Sequence, residues 1–172
     1  MITAREPRTI GRADAQGRRA ARLAAVQAIY QMELSGVGAE EVAREFADHR
    51  FGHEAEVSPA GVPEEEFFIA IVHGVPAHQI EIDRSIAKCL STDWKLDRID
   101  SILRAILRAA AFELVERHDV PAKVVIDEYV DIAHAFFQGQ EPSFVNAALD
   151  KLARRKRAPE FGETPPDDEL QF

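Results

Sequence analysis

Ile99-Asp100-Ser101-Ile102-Leu103-Arg104-Ala105-Ile106-Leu107-Arg108-Ala109-Ala110-Ala111-Phe112-Glu113-Leu114 is the stretch whose reading decides the fold. Ile99, Ile102, Leu103, Ile106, Leu107, Ala110 and Leu114 recur at steps of three and four, the spacing that lines one face of an α-helix. This is the clearest amphipathic run in the chain, and it reads as the central core helix. Arg104 and Arg108 lie one turn apart on it and share a face. Two roles suit them: ion pairs to Glu113, Asp127 or Glu128, or contact with an external anion.

Outward from this helix the same periodicity repeats. Upstream, Leu23, Val26, Tyr30 and Leu34 mark a first strongly helical segment from Arg18 to Ser35, ended by Gly36 and Gly38. A short acidic helix over 39–49 buries Val42 and Phe46. Residues 51–63 read as a loop. Pro63 and Glu64, Glu65 and Glu66 start the next helix, where Pro and acids suit the first turn. Pro76 should kink or end it, and a further helix resumes near Ala77 and reaches Leu90. Downstream, Val120-Pro121 opens a helix carrying Val124, Val125, Tyr129, Ile132, Ala133 and Phe136. Gly139 stops it, and Pro142 begins a last helix to Arg157. No segment alternates with period two, so the fold class is all-α, a bundle of six to seven helices.

Charge is segregated within a chain of net charge −9. Residues 1–22 hold six arginines against two acids, whereas residues 40–66 hold nine acids against two arginines. Lys151, Arg154, Arg155, Lys156 and Arg157 form a second basic run. Local field, not the sum, governs binding. Residues 1–17 read as a disordered basic arm, 18–157 as the helical domain, and 158–172 as a disordered acidic tail. Arg18, Arg19 and Arg22 fall at the predicted N-terminus of the first helix, where a cation opposes the helix dipole. Arginines so placed in an acidic chain point to an external anion, and RNA is the natural polyphosphate.

Other classes are poorly served. Cys89 is the single cysteine, so an intrachain disulfide and a multi-cysteine metal site are excluded, and the residue reads as an inert buried thiol. His49 and His53 have helical metal spacing, but Gly52 lies between them and no third ligand is evident. No phosphate loop, dinucleotide fingerprint or nucleophile elbow occurs. The expectation is therefore no enzyme, no metal and no cofactor. Residues 1–22 lack the apolar run of a signal peptide, and the most apolar stretches are too short to span a bilayer, so a cytoplasmic location without membrane attachment is expected.

Three stretches carry a resemblance. They are Arg18-Arg19-Ala20-Ala21-Arg22 with Ala25-Val26-Gln27-Ala28-Ile29-Tyr30; Trp94 and Arg98 with Leu103-Arg104, Leu107-Arg108 and Phe112-Glu113-Leu114; and Val120-Pro121-Ala122-Lys123-Val124-Val125-Ile126-Asp127-Glu128 with Phe144-Val145-Asn146-Ala147-Ala148-Leu149-Asp150. In this order, over residues 18 to 154, they resemble the NusB family of bacterial transcription antitermination factors. The resemblance implies an all-helical fold of two packed subdomains and no catalysis. It implies binding of the boxA element of nascent ribosomal RNA together with the ribosomal small-subunit protein NusE, and action on the RNA polymerase elongation complex. It assigns RNA contact to Arg18, Arg19, Arg22, Arg108 and Lys123, with Phe136 and Phe144 flanking the RNA groove and Gln140 in the loop between them.

Two positions depart from the family pattern. Ala147 follows Asn146 where the family reads Phe-Val-Asn-Gly, and Gln140, with Glu141 beside it, stands where an acid is usual. By spacing alone Phe136 reads as core, Phe144 as core or stacking surface, Asn146 as a backbone cap, and Trp94 as a wedge between subdomains. Single-stranded RNA is held by cations on phosphates and by aromatic faces on bases, and the chain offers both. Two other readings stay open: the N-terminal domain type found in some RNA cytosine methyltransferases, and a protein-only scaffold, possible as a homodimer that covers the arginines. The acidic surface of residues 40–66 is where a basic ribosomal protein is expected.

Overall fold

The computed structural model describes residues 12–48 and 64–169, with no side-chain detail for 12–14. Seven α-helices account for most of the described residues: α1 Arg12–Ser35, α2 Ala39–Phe46, α3 Glu65–Ala77, α4 Gln79–Ala87, α5 Ser101–Glu116, α6 Ala122–Phe136 and α7 Glu141–Lys156. No strand occurs among them. α1, α2 and α3 pack on one another, α4, α6 and α7 gather around the other side of α5, and α5 joins the two groups through α1 and α3.

The central position of α5 follows from its composition. Leu103, Ala105, Ile106, Leu107, Ala109, Ala110, Ala111 and Leu114 are buried, so the helix is enclosed on most of its circumference. Small alanines let neighbours approach, and the aliphatic side chains fill the gaps. Asp100 caps its start, accepting from the backbone N–H of Ile102 at 2.8 Å and of Leu103 at 3.2 Å. At its other end the buried Arg157 closes the last turn. Its guanidinium donates to the carbonyls of Glu113 at 2.9 Å, Leu114 at 2.7 Å and Arg117 at 2.6 Å, and also to Val120. Carbonyls that a helix end leaves without intrahelical donors are thereby satisfied.

Turn chemistry sets the other boundaries. Gly36 adopts φ +73°, a left-handed conformation that ends α1, and its N–H donates to the Met32 carbonyl at 2.9 Å. Pro76 sits in the final turn of α3, which stops at Ala77 as expected, and α4 resumes at Gln79. Gly74 allows α3 and α5 to meet: a Cβ there would lie 2.2 Å from the Phe112 ring. Cys89 is buried, and that burial pushes its thiol pKa up.

Several expectations change. α1 begins at Arg12, not at Arg18, so residues 12–17 of the supposed disordered arm are helical. Arg18, Arg19 and Arg22 lie in the second and third turns, beyond the reach of the terminal dipole, and the inferred conflict with that dipole does not exist. Residues 1–11, the 51–63 loop, His49 and His53 lie outside the described residues. The chain after α7 is not loose over 158–169: 3₁₀ turns form at Ala158–Phe161 and Asp167–Glu169, and Ala158 is buried. Trp94 is 53% exposed instead of wedged between subdomains.

Candidate nucleic-acid interface

The first-helix arginines divide sharply. Arg22 is 3% exposed and pairs side-on with the fully buried Glu113, Nε to Oε2 and Nη2 to Oε1 both at 2.9 Å. A bidentate pair of this kind fixes α1 against α5. Its charge is spent in the interior. The hydroxyl end of the buried Tyr129 ring belongs to the same cluster, and its pKa is raised well above the ordinary value by burial and by Glu113. Arg18 is mostly covered as well, 3.4 Å from Glu64 and 3.6 Å from Asp119. Its guanidinium lies 4.8 Å from the Phe67 ring centroid, which Arg22 and Arg117 also approach.

Arg19 is different. Its side chain is 56% exposed and joins α1 to α6 through a fork to Glu128, with both bonds at 3.1 Å. Glu128 raises the Arg19 pKa by hydrogen bonding and charge. The Arg19 side of the pair is open to solvent while Glu128 is mostly covered, so the outer face of the guanidinium stays available to a phosphate. Lys123 is exposed on the first turn of α6. Arg19 and Lys123 are the predicted cations that remain available at this end.

Arg104 and Arg108 have other partners than those expected. Arg108 forks onto Asp83 of α4 at 2.9 and 3.0 Å and reaches Glu33 at 3.4 Å, so its guanidinium is engaged within the fold. Arg104 pairs with Glu33 and donates to the carbonyls of Leu96 at 2.9 Å and Ile99 at 3.0 Å. Those carbonyls belong to the irregular segment 91–100, so Arg104 anchors the strap that carries Trp94 and Arg98. Hydrogen bonds from Trp94 N–H to Ser91 and from Arg98 N–H to Lys95, both 2.9 Å, fold that strap into successive turns.

The strap meets the start of α7. The Trp94 and Phe144 rings lie 5.3 Å apart at 42°, an exposed indole set against a half-buried phenyl ring. Around them opens a groove of about 940 Å³ lined by Trp94, Arg98, Asp100, Gln140, Glu141 and Phe144 among others. The structure thus brings the predicted Gln140 and Phe144 together and adds Trp94 and Arg98, both exposed. Phe136 is 37% exposed in the last turn of α6, not core. Asn146 is exposed on α7. Glu141 supplies a carboxylate in the loop where Gln140 replaces the usual acid. Its Oε2 is buried with no hydrogen-bond partner among the described residues.

Geometry links the two ends. α1 runs antiparallel to α5, with Arg22 opposite Glu113 and Glu33 opposite Arg104. α6 follows α5 after a short connection, and the Arg19–Glu128 fork ties α1 to it. Eight residues separate Glu128 from Phe136, about 12 Å along the helix.

A sequence model of the NusB family matches residues 19–154. The chain belongs to the NusB family. Among its relatives, the transcription antitermination protein NusB of Maricaulis maris is 52% identical over 144 residues, covering 84% of this chain and 90% of the relative. That of Caulobacter vibrioides is 51% identical, with 83% and 95% covered. NusB of T. maritima superposes with a TM-score of 0.69 at 28% identity, over 84% of this chain and 96% of that one. A structure of the antitermination factors NusB and NusE in complex with double-stranded RNA gives a TM-score of 0.67 at 24% identity, with 81% and 97% covered, and supports the fold.

Trp94 is the functional candidate that periodicity misread. The signal was present in the sequence: the tryptophan of Ser91-Thr92-Asp93-Trp94-Lys95 stands among polar turn residues, outside any apolar stripe of helical spacing.

Proposed function

We propose that this NusB-family chain is a non-catalytic RNA-binding antitermination factor. It binds boxA of nascent ribosomal RNA together with NusE and acts on the RNA polymerase elongation complex. The observation that carries the reading is the Trp94–Phe144 pair beside Arg98, Gln140 and Glu141. Exposed aromatic faces stack unpaired bases, Arg98 meets phosphate, and the Gln140 amide and Glu141 carboxylate offer hydrogen-bonding groups to base edges. Arg19 and Lys123 add phosphate contacts on α1 and the first turn of α6, and Phe136 offers an exposed ring in the last turn of α6. Arg18 supports that end, while Arg22 and Arg108 hold the helices that present the surface.

NusE is assigned to the acidic side of α3 and α4, where Glu65, Glu66 and Glu81 are exposed beside the exposed apolar Ile69 and Ile80. A basic protein suits that combination. Crosslinks from NusE to residues 64–90 are the expected result, and their absence from a formed complex would move the partner elsewhere.

The test of function is binding of boxA and scrambled RNA, each with and without NusE. The expected result is weak, salt-sensitive binding alone and tighter, boxA-selective binding with the partner. Equal affinity for boxA and scrambled RNA in the presence of NusE would overturn the reading.

A further inference from the structure

The last turn of α7 and the end of α4 build a second basic surface, remote from the Trp94 groove. Eleven residues of α7 separate Phe144 from Arg155, about 17 Å along the helix. Lys88, Arg84, Arg155 and Lys156 line a depression of about 530 Å³ there, together with Glu81 and the tail residues Pro165 and Glu169. Lys151 adds its charge to the same neighbourhood, where it acts on Cys89 together with Arg155 and Lys156. In a chain of net charge −9, a cluster of five cations at one place invites an anion.

The chain fills that place with its own acids. Asp168 accepts from Lys88 at 3.3 Å and also from Arg155. Glu169, with its side chain only 6% exposed, accepts from Arg155 at 3.1 Å and Lys156 at 2.6 Å. Upstream, Glu163 pairs with Arg154, whose guanidinium lies 4.7 Å from the Phe161 ring centroid. The segment 162–166 between the two 3₁₀ turns is irregular; the Glu163 N–H donates to the Ala158 carbonyl at 3.0 Å, Pro165 and Pro166 are half-buried, and these ion pairs hold its far end. The Asp168 pairs are half-exposed and weaken with salt, whereas Glu169 is the more enclosed anchor. A polyanion therefore competes first at Asp168.

We propose that the Lys88–Arg155–Lys156 surface is a second RNA-binding surface, specific for the phosphate backbone and not for bases, and masked in cis by Asp168 and Glu169. The carboxylates occupy the positions that phosphates take when the tail is displaced. Among the described residues no aromatic ring lines this depression, so sequence selection stays with the Trp94 groove. RNA leaving that groove along α7 reaches the second surface and exchanges with the tail. The proposal rests on the RNA-binding reading for the identity of its ligand, though not for its location.

The test uses the full chain without NusE and a 20-nucleotide uridine oligomer as probe. Asp168→Asn with Glu169→Gln should tighten binding about five-fold or more at low salt. It should also steepen the salt dependence by about 2 in log–log slope, the release expected for three phosphate contacts on a single strand. Adding Lys88→Ala and Arg155→Ala should erase the gain. A charge-matched control, Glu41→Gln with Asp48→Asn on α2 and its end, should show none. An unchanged affinity in the folded variant, a gain that survives removal of the two cations, or an equal gain in the control would each overturn the proposal. If the double variant melts below the assay temperature, the half-exposed Asp168→Asn alone carries the same comparison. Failure of the boxA reading is visible separately, in the wild-type chain with NusE.

Discussion

Arg22 of α1 and Glu113 of α5 meet as a buried bidentate pair, 91 residues apart in sequence, with Arg22 3% and Glu113 0% exposed. Charges taken out of water are tolerated only because each satisfies the other. Removing one partner strands the other. Arg22→Ala should therefore lower stability by about 3–5 kcal/mol, measured by urea unfolding. It should leave RNA affinity per folded molecule nearly unchanged. A variant of normal stability with weakened RNA binding would return Arg22 to the interface.

Arg19 should behave in the opposite way. Its guanidinium is more than half exposed and Glu128 keeps an edge in solvent, so Arg19→Ala should lower stability by only about 1 kcal/mol. Binding of boxA RNA should weaken, and the log–log salt slope should become shallower by about 0.7. Titrations over a range of salt concentrations check both, and an unchanged slope would remove Arg19 from the phosphate track.

The aromatic platform carries the bases. Phe144→Ala should cost about 1–3 kcal/mol of RNA binding, the usual worth of one base–aromatic stack. Phe136→Ala, at a ring that makes no contact with Trp94 within the described structure, should cost less. Competition binding with NusE present ranks the two.

Arg104 acts on the groove through the strap that it anchors. With Arg104→Ala, the carbonyls of Leu96 and Ile99 lose their donor, and Trp94 loses its fixed position. RNA affinity should fall although Arg104 faces Glu33 and the strap instead of the groove. Emission from Trp94, the single tryptophan, should shift to the red in the free variant, and an unchanged spectrum would deny the anchoring role.

The masking segment should respond to acid. Arg155 and Lys88 hold the Asp168 carboxyl below its usual range. For Glu169, burial acts to raise the pKa, but Lys156 and Arg155 outweigh it and the net direction is down. A depressed folded pKa means that the contribution is present above the ordinary carboxylate value of about 4 and is lost as pH falls through the lower folded value. Docking should thus persist across neutral and mildly acidic pH and fail only in stronger acid. Carboxyl ¹³C NMR titration of Asp168 and Glu169 reads this directly; ordinary midpoints would show that the pairs do not persist in solution.

How much of this was legible in the chain varies by the range of the interaction. α5 could be read from its own periodicity, because an enclosed helix must repeat apolar residues every three to four positions. Gly36 and Pro76 marked boundaries for local steric reasons. The start of α1 was missed because Arg12-Ala13-Asp14-Ala15-Gln16 has good helix formers but no apolar stripe. That error created the apparent dipole conflict, and with it the reason for treating three arginines alike. Burial separates them, and burial depends on Glu113, Glu128 and Asp119, which lie far along the chain. The fate of residues 158–169 was hidden similarly: composition marks an acidic, proline-containing stretch as disordered, and only the bases of α4 and α7 give its acids a place to dock.

Trp94 fluorescence during titration with boxA RNA in the presence of NusE tests the central claim most directly, because the single tryptophan stands in the proposed stacking groove. Saturable quenching by boxA, reduced with a scrambled oligomer and with Phe144→Ala, is the result expected. Full boxA binding, verified by an independent label on the RNA, with Trp94 emission unaltered would place the transcript elsewhere on the molecule.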